Sequence, residues 1–336
     1  MSFKRFDQED IVVSAESVTA PVWSGDQVSL TSFYTSSTQI GNNTGDFYYN
    51  VYQTSASLAE ARVQFSIAYG HKNGAGSLNY NSAITGSPSQ TIYGQYRSLV
   101  LGDENAEFNF GGASSEHFYA LSVDRARYKE KLLPGTFNLK LEGSTDVLEL
   151  TDDSGLSSTV TYNDVGRVYE VISGSNGVSH DLGSGYTAQS GYIASFGKFL
   201  PDVGIILLNV QALQEYIGAG FEIKSGSADE NGFNNRLLHQ AIERGGSFKL
   251  NSEETISSNY VFVRVRNSEF NYSSNPSNIT GSGEIRHNSM VNNPQAYVTS
   301  VGLYNDNNDL LGVAKLSKPL LKDFTKEALI RIKLDY

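Results

Sequence analysis

No cysteine occurs in the 336 residues. Its absence removes disulfides, thiolate zinc sites and cysteine nucleophiles together and leaves stability to packing alone. Charge is scarce as well, at 18% of residues against ~25% in an average soluble protein. Base is in deficit within that small share: 25 Lys and Arg against 36 Asp and Glu, a formal charge of −11. Phosphate binding draws on clustered cations, so direct nucleic-acid binding is not expected. The longest apolar run, 203–208, falls far short of the ~18 residues a bilayer-spanning helix needs, and no membrane insertion is expected. The N-terminal Lys4-Arg5 is followed by Gln8-Glu9-Asp10 in place of an apolar segment, so no secretory signal is read there. No fixed-period repeat is found, which disfavours solenoids and propellers. GxSxG, GxxxxGK[ST] and GxGxxG are all missing, and glycine clusters such as Gly74-Ala75-Gly76 read as turns.

Aromatics fill the space that charge leaves: 20 Tyr, 17 Phe and 32 Gly, with 39% hydrophobic residues overall. That is ample apolar surface for a core and argues against disorder. The expected class is mainly β with a few short helices, built from β-sandwich or meander units with an α+β middle segment. Length alone predicts two or three packed units. The pattern suggests an N-terminal arm at 1–22, a β-rich unit with one short helix at 23–135, a meander with a Gly/Ser/Tyr-rich loop at 136–203, and a helical segment leading into a C-terminal β unit at 204–336.

Alternation predicts strands at 10–22, 27–35, 46–53, 62–69, 118–123, 137–142, 147–150, 158–162, 167–172, 260–266, 295–304, 310–316 and 328–334. Ile92, Tyr93, Tyr96, Leu99 and Val100 recur at helical spacing after Ser87-Pro88 and before Gly102, predicting one amphipathic helix. Helical stretches are also expected over 204–217 and 234–244. Two long polar loops, 70–86 and 174–197, are candidate contact surfaces.

No reaction centre is legible. The five histidines share no i, i+3 or i, i+4 spacing; His239 with Glu243 reads as a solvent-facing helical pair. Asp103-Glu104, Asp152-Asp153 and Asp229-Glu230 lie in predicted turns, where adjacent acids are solvated. Asp152 and Asp153 nevertheless keep a glycosidase alternative open, since such an enzyme needs two carboxylates across a cleft. Asp306-Asn307-Asn308-Asp309 lacks the spacing of a calcium loop and reads as a hairpin tip. The basic run from Arg125 to Lys131 reads as an intermolecular ion-pairing segment or a solvated strand edge. No cofactor or metal is expected, and no enzymatic activity.

The stretch Phe262-Val263-Arg264-Val265-Arg266-Asn267-Ser268-Glu269-Phe270-Asn271-Tyr272-Ser273-Ser274-Asn275-Pro276, with Tyr297-Val298-Thr299-Ser300-Val301-Gly302-Leu303-Tyr304-Asn305-Asp306 and Leu311-Gly312-Val313-Ala314-Lys315-Leu316-Ser317-Lys318-Pro319, resembles the C-terminal region of virion structural proteins of tailed bacteriophages, especially T-even-like myoviruses. Arg125 to Gly135, Phe199 to Gly204 and, more loosely, Phe47 to Tyr52 are similar to the same group. The VGLY hairpin also resembles one in attachment domains of tail fibres and baseplate proteins. The resemblance implies a structural subunit of the virion, in the baseplate or tail-fibre attachment region, assembled in the host cytoplasm with other virion proteins and copies of itself. It brings no catalytic residues. Candidate assembly contacts are Val12, Val13, Arg125, Arg127, Tyr186, Tyr192, Phe270, Tyr272, Leu303 and Tyr304. A tail-borne glycan-binding or glycan-degrading protein and a head or neck decoration protein are the alternatives.

Overall fold

The structure is a computed structural model and describes residues 3–36, 47–74, 88–144, 146–156, 160–180, 195–218, 220–224 and 231–335. The fold is mainly β. The chain forms two compact units: a large one, Val18–Glu254, and an end unit assembled from both termini, Met1–Ser17 with Thr255–Tyr336. The boundaries at 135 and 203 suggested by sequence fall inside the large unit, and the stretch 204–336 is shared between the two.

A single 3-10 turn at Gln8–Asp10 leads into β1 (Ile11–Pro21). The large unit then runs through β2 (Ser29–Leu30), β3 (Tyr49–Tyr52), β4 (Val63–His71), α1 (Ser89–Leu101), β5 (Phe108–Phe110), β6 (Ala113–Ser115), β7 (His117–Val123) and β8 (Lys131–Leu132). It continues with β9 (Asn138–Glu142), β10 (Val147–Asp152), β11 (Thr161–Asn163), β12 (Gly166–Ser175), β13 (Val178–Ser179), β14 (Gly197–Leu200) and β15 (Ile205–Asn209). After these come α2 (Val210–Ile217), α3 (Asn231–Gly245) and β16 (Phe248–Lys249). Most of these strands join one antiparallel sheet in the order β2-β16-β9-β10-β12-β14-β15-β7-β4-β3, with β11 and β13 attached to β12. The meander expected after residue 136 is present as β9-β10-β12-β14-β15.

Alternate side chains of the central strands serve opposite faces of that sheet. Phe65, Ile67 and Tyr69 of β4, Tyr119 and Leu121 of β7, and Ile206 and Leu208 of β15 pack with Leu213 and Ile217 of α2 and Leu238 and Ile242 of α3. Ala68, Phe118, Ala120, Ile205 and Leu207 pack with Ile92, Tyr93, Tyr96 and Val100 of α1. Because both faces are covered, these strands are apolar at consecutive positions. That explains one correction: the run Ile205 to Leu208, expected as helical within 204–217, is the buried strand β15, and the helix begins only where the Asn209 side chain accepts a bond from the Gln211 amide. α1 lies close to the sheet at Gly70, where an added Cβ would meet the Phe118 ring at 3.0 Å and the Tyr93 backbone nitrogen at 3.1 Å. The helix is where the spacing put it, with Pro88 as N-cap.

The end unit contains β17 (Asn251–Val265, which enters it at Thr255), α4 (Asn288–Asn292), β18 (Ala296–Tyr304), β19 (Leu310–Lys322) and β20 (Ala328–Asp335). Its strands form a sheet in the order β1-β17-β20 and a separate hairpin, β18-β19. Asn305 builds the hairpin turn: its Oδ1 accepts from the Asn307 and Asp309 amides at 3.0 and 2.7 Å, and Asn308 takes φ 63°, as expected of a tip rich in Asn and Asp. Val261, Val263, Val265, Leu303, Ile330 and Ile332 form the core of this unit.

Candidate functional site

The end unit departs from an ordinary folded unit in two ways. Its six core side chains are each 5–9% exposed, whereas the central strands of the large unit reach 0%. It also exposes apolar side chains: Val12 and Val13 of β1, Tyr297 and Tyr304 of β18, Leu310, Leu311 and Val313 of β19, and Leu329 of β20 all stand out to solvent. It also carries 11 basic and 11 acidic residues, so the whole charge of −11 belongs to Val18–Glu254. Burying such side chains removes apolar area from water, and the unit has no net charge to oppose its association.

The hairpin concentrates this character. Inward-facing Val298, Val301, Leu303, Ala314, Leu316 and Leu320 meet the core. On the outer side Leu311 is 71% and Val313 62% exposed. The Tyr304 ring folds over Gly302, where an added Cβ would lie 2.8 Å from a ring carbon and push the ring aside. The Phe3 ring meets Tyr304 edge to face at 5.2 Å. β1 is open on both faces, with Val12 on one and Val13, 68% exposed, on the other.

The ten expected contact residues are distributed unevenly. Val12, Val13, Tyr272 and Tyr304 are exposed on the end unit. Phe270 is half-buried against the core with φ 54°, and Leu303 lies within that core. Tyr186 and Tyr192 lie outside the described residues, as do 75–86 and 181–194 of the two long loops. Arg125 and Arg127 both bond to groups of their own chain. Arg125 donates to the Tyr128 carbonyl at 2.5 Å and to that of Lys129 while stacking on the Tyr128 ring, and Arg127 donates to the Ser24 hydroxyl. Lys129 pairs with Glu254 at 2.7 Å, and Lys131 lies 3.7 Å from Glu130 and from Glu253. The basic run, expected as an intermolecular ion-pairing segment or a solvated strand edge, makes these contacts within the chain, with Arg125 and the Lys129 side chain still exposed.

Two further expectations are corrected. Asp152 is fully buried, not solvated in a turn: both its oxygens accept from the Gly135 amide at 2.9 Å, and Oδ1 also accepts from the Ser154 amide at 3.1 Å. Asp153 accepts from the Glu170 amide at 3.0 Å, and burial pushes its carboxyl up. The two acids tie the Gly135, Ser154 and Glu170 amides to the end of β10. Asp103 caps the Asn105 amide, while Asp229 and Glu230 lie outside the described residues. His239 is buried rather than solvent-facing, with Nε2 3.1 Å from the Phe33 carbonyl and its ring on Tyr49. Burial pushes its imidazole down.

Strand pairing creates one cluster that the spacing of histidines did not reveal. The β4-β7 register sets His71 opposite His117, their rings 5.4 Å apart. Nδ1 of His71 accepts from the Asn73 amide at 3.0 Å, and the Tyr69 hydroxyl is 3.3 Å from Nδ1 of His117. Burial first, and His71 second, push His117 down to about 4. α3 ties into these strands, with the Asn231 side-chain amide donating to the Tyr69 carbonyl and the Tyr119 hydroxyl to the Asn234 carbonyl. The sequence hinted at this only through the two strands expected at 62–69 and 118–123, which stop within two residues of His71 and His117. Among the described residues no three His, Asp or Glu side chains gather as metal ligands, and no helix is long and apolar enough to cross a membrane. No protein-family model, curated protein or solved structure matches the chain.

Proposed function

We propose that this protein is a structural subunit of a tailed-phage virion, working in the baseplate or tail-fibre attachment region through protein–protein assembly. The observation that carries the reading is the end unit, which pairs a sparse core with exposed apolar side chains and no net charge. Such a unit gains stability when a neighbour completes it. The large unit, with its two covered faces and its full share of negative charge, keeps the free subunit soluble until it assembles. The resemblance of 262–272, 297–304 and 311–319 to virion proteins supplies the setting, and these segments lie in the same unit.

Fractionation of purified virions tests the proposal. Gradient-separated tails and baseplates, digested and read by mass spectrometry, are expected to contain this chain. Its absence from those fractions, or its retention with DNA-filled heads after tails are removed, overturns the assignment.

A further inference from the structure

The sequence holds three Asn-Gly pairs, at 73–74, 176–177 and 231–232. Such a pair is chemically labile, because the glycine has no Cβ to keep its amide nitrogen from closing on the asparagine side chain. Closure needs a carboxamide free to turn and a glycine N–H free to leave its acceptor. The fold treats the three pairs differently. Asn231 is buried at the start of α3, where its side-chain amide donates to the Tyr69 carbonyl at 2.7 Å and its Oδ1 accepts from Asn235 at 2.9 Å. Asn176 is exposed, but the Gly177 N–H donates to the buried Thr151 hydroxyl at 2.8 Å, and that hydroxyl donates to the Phe137 carbonyl at 2.8 Å. Pairing of Ser175 with Val178 fixes the two-residue turn between them. At 73–74 neither lock is present. Asn73 is exposed past the end of β4, and its side-chain amide approaches Glu116 at 3.4 Å. The Gly74 N–H reaches the His71 carbonyl of the same turn at 3.2 Å, the long end of the hydrogen-bond range. Gly74 and Gly177 are both covered, so the bond on the glycine amide, and not exposure, separates these two pairs.

We propose that Asn73 is a site of spontaneous deamidation, which converts it to aspartate or isoaspartate while Asn176 and Asn231 persist in the folded chain. Base takes the Gly74 amide proton and the freed nitrogen attacks Cγ of Asn73. The Cγ–Nδ2 bond then breaks, and the departing amino group takes a proton from solvent and leaves as ammonia. Water opens the resulting cyclic imide at either carbonyl. Opening at the side-chain carbonyl leaves aspartate; opening at the backbone carbonyl leaves isoaspartate, in which the main chain runs through the former side chain. Water is the one co-reactant. Either product replaces a donor with a carboxylate at the position that approaches Glu116, beside the His71–His117 pair. Like charges then meet at the end of the β4-β7 pairing, where the Lys72 amide donates to the Glu116 carbonyl at 2.7 Å. Residue 73 thereby records the age of the folded chain, independently of what the protein assembles with.

Timed incubation of the full chain at mildly alkaline pH, folded in one sample and unfolded in guanidinium chloride in another, tests this. Each sample is quenched in acid, digested with pepsin and read by mass spectrometry, which registers the exchange of NH2 for OH at each asparagine. Electron-transfer fragmentation marks isoaspartate. In the unfolded sample the three pairs are expected to react at similar rates. In the folded sample position 73 is expected to react at least about tenfold faster than 176 or 231, because those two react only after their hydrogen bonds open. Asn73→Gln, whose longer side chain closes the ring far more slowly, is expected to keep the folded chain free of isoaspartate. An Asn73 that persists in the folded chain while the unfolded sample converts overturns the inference. So does conversion of 176 or 231 at the rate of 73, or isoaspartate at the wild-type level in folded Asn73→Gln.

Discussion

His71 and His117 stand directly opposite each other on β4 and β7, their imidazoles edge to face 5.4 Å apart beside the Tyr69 ring, with His71 buried and His117 half-buried. The groups near them are the Tyr69 hydroxyl, Lys72 with its partner Glu107, and Glu116, which the Asn73 side chain reaches at 3.4 Å. Charging either ring costs desolvation, and charging both adds repulsion.

The first prediction concerns acid. His117 is held at about 4 when folded against 6.5 ordinarily, so between these values the unfolded chain binds a proton that the folded chain does not. Stability is therefore unaffected above pH 6.5, falls as pH drops through 6.5 towards 4, and loses nothing further from this group below that. The full loss is roughly 3 kcal/mol. His239, also depressed by burial, adds in the same direction. Urea melts at pH 7 and pH 4.5 are expected to show a smaller acid-induced loss for His117→Gln than for the wild type. Equal losses would place the sensitivity elsewhere.

A second prediction separates a structural acid from a catalytic one. Asp152→Ala leaves the buried Gly135 and Ser154 amides without their acceptor, at a cost of about 2–3 kcal/mol. Chemical denaturation of the full chain measures it. Incubated with host polysaccharide, neither the wild type nor the variant is expected to release reducing ends; release by the wild type that the variant lacks would revive the glycosidase alternative.

The third prediction concerns Lys322, a buried cation whose Nζ donates to the Asn267 and Asp323 carbonyls at 2.9 Å each and to Asn271 Oδ1 at 2.7 Å. All three ammonium protons are matched. Lys322→Met keeps the stem and strands three acceptors, so the end unit should lose roughly 2–4 kcal/mol. Hydrogen exchange reads this by region: the amides of β18 and β19 are expected to exchange faster in the variant while those of β7 and β15 stay protected. Uniform acceleration along the chain would contradict it.

What could be read before folding was whatever depends on neighbours a few residues away. Alternation at Val63, Phe65, Ile67 and Tyr69 announced β4, the 3- and 4-residue spacing from Ile92 to Val100 announced α1, and Asn305 to Asp309 announced the β18-β19 turn, because dihedral preference and side-chain periodicity are local properties. The run from Ile205 to Leu208 was ambiguous because a strand buried on both faces has no alternation left to show. The end unit could not be inferred from any one segment, since it joins the first 17 residues to the last 82.

The sequence by itself determined the mainly β class, the lack of thiol chemistry and the acidic balance. Tertiary structure decided which groups meet. It set His71 beside His117, buried Asp152 and His239, turned Arg125 and Arg127 back onto their own chain, and left the hairpin's Leu311 and Val313 in solvent. Periodicity fixes only which side of a strand a residue faces. Which strand lies alongside, and in what register, depends on how the whole chain closes, and Tyr69 and His117, 48 residues apart, meet only once that is settled.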